Sequence, residues 1–152
     1  MNLYATGTTV APEKSRAEIE RILTRYGATG FAYGWDGPRA VIAFRAKERN
    51  VKFVLPLPKP EDFKTTPTGR QRRNTGRQAI VAEMETRRRW RALALAVKSK
   101  LEMVASGIVQ FDDEFLPYIV MPDGRTVAEH VRPGIVAAYA GKPMKALLPS
   151  FG

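Results

Sequence analysis

The sequence predicts an α+β fold, and three observations support this prediction. Residues 12–26 show the helical period, and the three short runs that follow alternate large apolar side chains with small or polar ones, as strands of a meander do. From Gly76 to Ser106 a proline-free stretch shows the helical period again. The 152 residues, of which 44% are apolar and 26% charged, suit a single domain, which we place at 1–152.

The N-terminal helix is predicted over residues 12–26. Its apolar residues recur at i, i+3, i+4 and i+7, and they are Ile19, Ile22, Leu23 and Tyr26. Gly27 follows directly and suits the end of a helix, because glycine adopts the left-handed conformation without a steric penalty. We therefore expect one helix with a single apolar face.

Three antiparallel strands are predicted next, at 31–35, 39–45 and 51–55. Polar or glycine-containing turns separate them at 34–38 and at 47–50. The third strand ends where prolines begin, because proline cannot donate to a strand ladder; these prolines are Pro56, Pro58 and Pro60. The result is a three-stranded antiparallel meander.

The first strand contains three aromatic residues on one side. Phe31, Tyr33 and Trp35 alternate with small residues, which is typical of a buried sheet face. Flat rings also stack on unpaired bases, so Tyr33 and Trp35, with Trp90 of the later helix, are candidates for nucleic-acid contact as well. We interpret the three residues of the strand as core residues packed under the first helix.

A basic loop and a long amphipathic helix follow. Residues 56–76 are rich in Pro, Thr, Gly, Arg and Gln with little to bury, so we expect a mobile loop. At 100° per residue, one side of the helix gathers Ile80, Trp90, Leu93, Ala94, Val97, Leu101, Val104 and Ile108. The opposite side gathers Arg77, Arg88, Arg91 and Lys98. We interpret Trp90 as a core residue of this helix.

The C-terminal third is predicted to be less regular. Asp112, Asp113 and Glu114 form an acidic turn, and 115–121 is a short extended segment or edge strand broken by Pro117. Thr126 and Glu129 have the spacing of a capping box at the start of a C-terminal helix. We expect Pro133 and Gly134 to split this helix, and 141–152 to form a tail that packs through Leu147, Leu148 and Phe151.

Positive charge is concentrated in one stretch of the chain. Residues 64–100 contain eleven basic and two acidic residues, whereas the rest of the chain contains fourteen and thirteen. Such a concentration favours a polyanionic partner, nucleic acid first, over a merely solvated linker and helix face. The predicted nucleic-acid-binding residues are Arg70, Arg72, Arg73, Arg77, Arg87, Arg88, Arg91 and Lys98.

Several classes of protein are disfavoured by composition. There is no cysteine, so disulfides, thiol nucleophiles and cysteine-ligated zinc are excluded, and a reducing cytoplasm suits the chain. No signal peptide and no membrane-spanning run is visible. The segment TPTGRQRRNTG lacks the Gly-Lys-Ser/Thr end of a phosphate-binding loop. We predict no cofactor and no membrane partner.

Candidates for catalysis are few. Carboxylates bind the magnesium of nucleases, but the consecutive acids Asp112, Asp113 and Glu114 point in different directions, and we interpret them as a solvated turn. A metal site would require Asp112, Asp113 or Asp123 to meet a second acidic group. His130 is the single histidine, and the adjacent Glu129 faces about 100° away on a helix. We predict that the protein is not an enzyme, with a metal-dependent nuclease as a distant alternative.

Several segments resemble one family. SRAEIERILTRYGATGFAYG, RAVIAFRAKERNVKFVLPLP, TPTGRQR, RWRALALAVKSKLE and MPDGRTV are similar to segments of small, basic, uncharacterised proteins encoded by tailed bacteriophages and prophages. The resemblance covers roughly Ser15 to Val127. It implies a setting in the cytoplasm of an infected bacterium, often among genes of replication and recombination, and it implies no reaction and no functional residue.

The predicted order of elements resembles two known architectures. A helix, three antiparallel strands and a second helix are similar to the double-stranded-RNA-binding domain, although the long helix here is about twice the length that such a domain needs. They are also similar to the core of ring-forming single-strand annealing proteins. Both are likenesses of topology, which does not determine function.

The predicted function is binding of single-stranded DNA with little sequence preference, in phage replication or recombination and including strand annealing. Duplex DNA and RNA are alternative ligands, because arginine contacts phosphate in all three. The alternative function is inhibition of a host defence or transcription complex by protein–protein contact. A homo-oligomer is compatible with the predicted helix faces and strand edges.

Overall fold

The computed structural model of the chain describes residues 13–143, 145, 146 and 148–151. The elements in order are α1 (Glu13–Arg25), β1 (Gly30–Asp36), β2 (Arg39–Ala46), β3 (Arg49–Pro56), α2 (Thr75–Ala105), α3 (Phe111–Glu114) and α4 (Val127–Tyr139). The predicted α+β class is confirmed. Residue 12, where the first helix was predicted to begin, and Leu147 of the predicted tail lie outside the described residues.

The sheet is an antiparallel meander in the order β1-β2-β3. Its register places Ile42 of β2 between Tyr33 of β1 and Phe53 of β3 on one face. Ile19 of α1 and Trp90 of α2 belong to the same core cluster as these strand residues. Both helices therefore cover one face of the sheet.

Two-residue turns connect the strands. Gly37 has a φ of 58° in the first turn, where glycine has no steric penalty. In the second turn Lys47 and Glu48 have φ values of 51° and 62°. A turn with two positive φ values matches the twist of a hairpin, and Asn-Gly is its usual sequence. The second hairpin therefore holds two ordinary side chains in a left-handed backbone.

The core is built around aromatic side chains. Trp90 is fully buried, and its ring centroid lies 5.8 Å from that of Tyr33 in an edge-to-face arrangement. Phe115 is also fully buried and packs edge-to-face against Phe44 and Phe53. The interpretation of Trp90 as a core residue is confirmed.

Three residues predicted on buried faces are exposed, and those predictions were wrong. Trp35 is 59% exposed, whereas its neighbour on the same face, Tyr33, is covered by Arg16 of α1 and by Trp90. Ile80 is 49% exposed; it lies about 80° around the helix from Trp90, on the flank that also carries Arg91 and Met84. Ile108 is 71% exposed because α2 ends at Ala105, before this residue.

The basic segment between β3 and α2 has local structure. A short 3-10 turn spans Pro60–Phe63, and Thr65 forms an antiparallel bridge with Arg72. The backbone N–H of Arg73 donates to the Lys64 carbonyl at 2.8 Å, which closes a small loop. We call residues 64–73 the basic hairpin; its predicted mobility stays a prediction.

The segment between α2 and α4 differs from the prediction. The predicted acidic turn is the short helix α3, and Leu116–Tyr118 form a 3-10 turn. Pro117 is accommodated because a helical first turn needs no donor from its early residues. Only the residues that follow are extended: Ile119 bridges to Val51, and the Val120 N–H donates to the Asn50 carbonyl at 2.8 Å. This segment therefore covers part of the free edge of β3.

The C-terminal helix is continuous, so the predicted split was wrong. Pro133 lies inside α4 and cannot donate to the carbonyl of Glu129. Nη2 of Arg125 donates to that carbonyl instead, at 3.3 Å. Half of the predicted capping box is present: the Glu129 N–H donates to Oγ1 of Thr126 at 3.2 Å, whereas the Glu129 carboxylate pairs with Lys52 and Arg125. None of the helices among the described residues is long and apolar enough to span a membrane.

Candidate nucleic-acid interface

The orientation of α2 determines which of its basic residues face solvent. Its 31 residues span about 46 Å. One side is buried over the sheet and α1 through Ala82, Thr86, Trp90, Ala94, Val97 and Leu101. Arg77, Arg91 and Lys98 lie about 80–140° around the helix from Trp90 and are exposed. The helix therefore presents a cationic side to solvent, as its period predicts.

Five of the eight predicted binding residues have side chains without a partner among the described residues. These free cations are Arg70 and Arg72 in the basic hairpin and Arg77, Arg91 and Lys98 on α2. The hairpin leads directly into α2, whose first turn is capped by the Asn74 side chain accepting from the Arg77 N–H at 2.8 Å. No acidic residue lies in that first turn, so the positive end of the helix dipole adds to the charge of Arg77.

Arg87 and Arg88 are exposed but already form ion pairs along the helix. Nη2 of Arg87 lies 2.8 Å from Oε1 of Glu83. Arg88 donates to both carboxylate oxygens of Glu85, at 2.7 and 2.6 Å. Each of these arginines would have to leave a carboxylate in order to bind a phosphate.

Glu85 is the acidic centre of this helix. It also accepts from Nε of Arg89 at 3.1 Å, while Nη1 of Arg89 donates to the Pro56 carbonyl at 2.8 Å. The hydrogen bonds from Arg88 and then Arg89 lower the pKa of Glu85 to about 2. Glu85 therefore links α2 to the end of β3 through Arg89 and neutralises part of the positive charge at the middle of the helix.

Arg73 is directed towards the protein. Its Nη1 donates to the carbonyl of Thr65 at 2.6 Å and to that of Phe63 at 3.3 Å. These contacts hold the two arms of the basic hairpin together. Sequence spacing does not distinguish such an arginine from its neighbour Arg72, whose side chain is exposed.

Two of the acidic residues considered for metal binding have basic partners. Asp112 accepts from Nε and Nη2 of Arg49 at 3.1 and 3.0 Å, and Glu114 accepts from Nζ of Lys100 at 2.9 Å. Within the described part of the chain, no three or more His, Asp or Glu side chains are grouped closely enough to hold a metal ion. The placement of these carboxylates gives the nuclease alternative no support.

His130 and Asp123 form a separate contact near the start of α4. Nε2 of His130 lies 2.7 Å from Oδ2 of Asp123, and the His130 side chain is 8% exposed. The pKa of Asp123 lies below its ordinary value, first because the Arg125 N–H donates to its carboxylate and then because of His130. His130 connects α4 to the preceding turn, and its ring also contacts Phe151 with centroids 6.1 Å apart.

Two features of the cationic side were missed by sequence reasoning. Met84 is 60% exposed and Leu95 is 67% exposed, and both lie beside Arg91 on the helix. The helical period contains this signal, because both residues fall within about 40° of Arg91 around the axis. The cationic side of α2 is therefore also partly apolar.

Comparisons of the chain with protein-family models, with curated proteins and with solved structures find no match. The resemblance to phage-encoded proteins stays a prediction.

Proposed function

We propose that the protein is a non-enzymatic nucleic-acid-binding protein whose favoured ligand is single-stranded DNA. It acts in phage replication or recombination, including strand annealing, in the cytoplasm of an infected bacterium. The observation that supports the proposal is the set of five free cations on the basic hairpin and the adjoining solvent side of α2. Exposed cations without protein partners are what a phosphate backbone requires.

The length of α2 favours a single strand. Arg77 and Lys98 are separated by about 31 Å along the axis of one helix. A duplex has a persistence length of about 50 nm, and its phosphate strands wind away from a straight row of cations. A flexible single strand follows such a row over its whole length and makes more contacts.

Little sequence preference is expected. Arginine and lysine contacts to phosphate carry no base information. Trp90, the aromatic residue of α2, is fully buried and offers no surface for stacking. Binding through α2 is therefore dominated by charge.

The contacts also rank the predicted residues. Arg77, Arg91 and Lys98 come first on α2, because Arg87 and Arg88 have carboxylate partners. Arg70 and Arg72 come first in the basic hairpin, because Arg73 donates to backbone carbonyls.

The test is fluorescence anisotropy of labelled single-stranded DNA, duplex DNA and RNA over a range of salt concentrations. Replacing Arg77, Arg91 and Lys98 by glutamine removes three contacts and lowers the slope of log affinity against log salt by about 2 for a single strand. A matched control replaces Lys14, Arg21 and Lys47, which are exposed elsewhere and carry the same total charge.

We expect the control variant to keep the slope of the unmodified protein. Equal effects of the two triple variants would show that net charge alone causes binding and would contradict the proposed interface. Absence of binding to all three ligands at low salt would reject the function.

A second candidate function is docking to an acidic surface of a host defence or transcription complex. Ile80, Met84 and Leu95 favour it, since exposed apolar side chains contribute to protein contacts and not to phosphate contacts. A protein with this function would bind none of the three nucleic acids alone.

A further inference from the structure

The solvent side of α2 carries a row of exposed residues along most of its length. Successive members are three or four positions apart, so all of them stay on one face of the helix. We call this row the outer strip; its members are Arg77, Ile80, Met84, Arg88, Arg91, Leu95, Ser99 and Glu102, all exposed.

The spacing of the outer strip is the same in both directions along the helix. A second copy lying antiparallel therefore meets it position by position. Arg77 lies opposite Glu102 of the second copy, and Met84 lies opposite Leu95. Ile80 lies opposite Ser99, and Arg88 lies opposite Arg91. Two-fold symmetry generates each of these pairs twice.

We infer that the outer strip is an interface between two antiparallel copies of this chain. The arrangement buries Met84 and Leu95, which are more than half exposed in the single chain. It also places opposite charges, Arg77 and Glu102, at both ends. A parallel arrangement would place Arg77 against Arg77 and Glu102 against Glu102, so charge selects the antiparallel one.

The centre of the interface is basic, because Arg88 of one copy lies opposite Arg91 of the other. Two features of these arginines reduce the repulsion between them. The charge of Arg88 is offset by its two hydrogen bonds to Glu85. The long side chain of Arg91 packs its methylene groups in the interface while its guanidinium extends to solvent. Dimer formation covers Arg77 and Arg91, so it competes with strand binding along α2, and the inference does not depend on nucleic-acid binding.

Cysteine cross-linking tests the arrangement, because the chain has no cysteine of its own. A disulfide requires α-carbons within about 7 Å of each other. We expect separately prepared Met84→Cys and Leu95→Cys proteins to form a mixed disulfide under mild oxidation. Each alone should stay uncross-linked, because identical positions are about 16 Å apart along the axis of the antiparallel pair.

The matched control is Ala96→Cys, which is exposed one residue further on and about 100° around the helix. Mixing it with Met84→Cys should give no more disulfide than either protein alone. Cross-linking of Met84→Cys with itself would indicate a parallel pair and overturn the inference, as would equal cross-linking of the Leu95 and Ala96 variants.

Charge reversal with sedimentation velocity gives an independent readout. Arg77→Glu and Glu102→Arg should each shift the protein towards monomer, and the double variant should restore the dimer because the end pairs are exchanged. Circular dichroism verifies that each variant is folded. If the unmodified protein keeps the sedimentation coefficient of a monomer up to millimolar concentration, the proposed interface is rejected.

Discussion

Glu85 shows how one residue couples charge to stability. Its carboxylate accepts hydrogen bonds from two arginines of α2, one of which also reaches the backbone of β3. Its pKa is about 2, against an ordinary value of 4.5, so the unfolded chain binds a proton more readily than the folded chain does. Its contribution to stability is therefore complete above pH 4.5 and is lost as the pH falls towards 2.

Replacing Glu85 by glutamine tests this coupling. We expect the free energy of unfolding at pH 7 to fall by about 1 kcal/mol, the upper range for a partly exposed ion-pair network. The difference between variant and unmodified protein should shrink below pH 4.5 and vanish only below pH 2, where the carboxyl group is protonated in both the folded and the unfolded chain. Urea denaturation at several pH values measures it.

Glu83→Gln is the control, since Glu83 has a single 2.8 Å contact with Arg87 and the loss should be smaller. A difference for Glu85→Gln that is the same at pH 3 and pH 7 would contradict the role of its carboxylate.

Single residues also mark the limit of sequence reasoning. Trp90 was predictable as a core residue because the helical period averages over many positions. Arg73 was not distinguishable from Arg72, because the direction of a loop side chain depends on carbonyls that folding brings near it. The sequence was enough to propose the free cations as binding residues. Only the structure shows that Arg87 and Arg88 already have carboxylate partners.

At the scale of elements, the turn of the second hairpin adopts a backbone conformation that its own residues do not favour. Lys47 and Glu48 both have positive φ values, and neither residue type favours that conformation. A polar turn at 47–50 was predicted, but its left-handed backbone was not, because Lys-Glu carries no such signal. The strands on either side impose the conformation.

Changing Lys47 to asparagine and Glu48 to glycine should therefore stabilise the protein. We expect an increase of about 1 kcal/mol in the free energy of unfolding, because Asn-Gly is the preferred sequence for two positive φ values. Chemical denaturation measures it. Gly37→Ala in the first turn should act in the opposite direction by a similar amount, since alanine is disfavoured at a φ of 58°. A destabilised Asn-Gly variant would show that the Lys47 or Glu48 side chain makes a contact that outweighs the strain.

The C-terminal helix illustrates an element that local rules mispredict. Pro133 and Gly134 are ordinary signals for a helix break. The break does not occur, because Arg125, from the turn before α4, donates to the carbonyl that Pro133 leaves without a partner. A hydrogen bond from a residue outside the helix cannot be predicted from the sequence of the helix alone.

At the scale of the whole molecule, periodicity predicts the fold class and groups the outer strip on one face of α2, but it does not show how much of that face is exposed. Alternation and helical spacing were long enough to predict α1, the sheet and α2. The solvent face of α2 depends on how the helix rotates over the sheet, which Trp90 and its neighbours decide. The five free cations consequently lie on the basic hairpin and the solvent side of α2.

This concentration should make stability depend on ionic strength. We expect the melting temperature to rise as salt is increased from low to moderate concentration, because salt screens repulsion among the cations of α2 and the basic hairpin. The variant with glutamine at positions 77, 91 and 98 should melt higher at low salt and respond less. Circular dichroism melts measure both. A melting temperature that falls with salt would show that ion pairs such as Arg88–Glu85 outweigh the repulsion.

The bridge between Val51 and Ile119 has a consequence for how the chain folds. The two residues are separated by nearly half the sequence, so joining them closes a long loop and costs chain entropy. Most buried core residues precede position 106, so α1, the sheet and α2 can assemble before the remainder has left the ribosome. We therefore expect Ile119 to pair with an edge of β3 that is already formed, and α4 to dock last on the first two thirds of the chain.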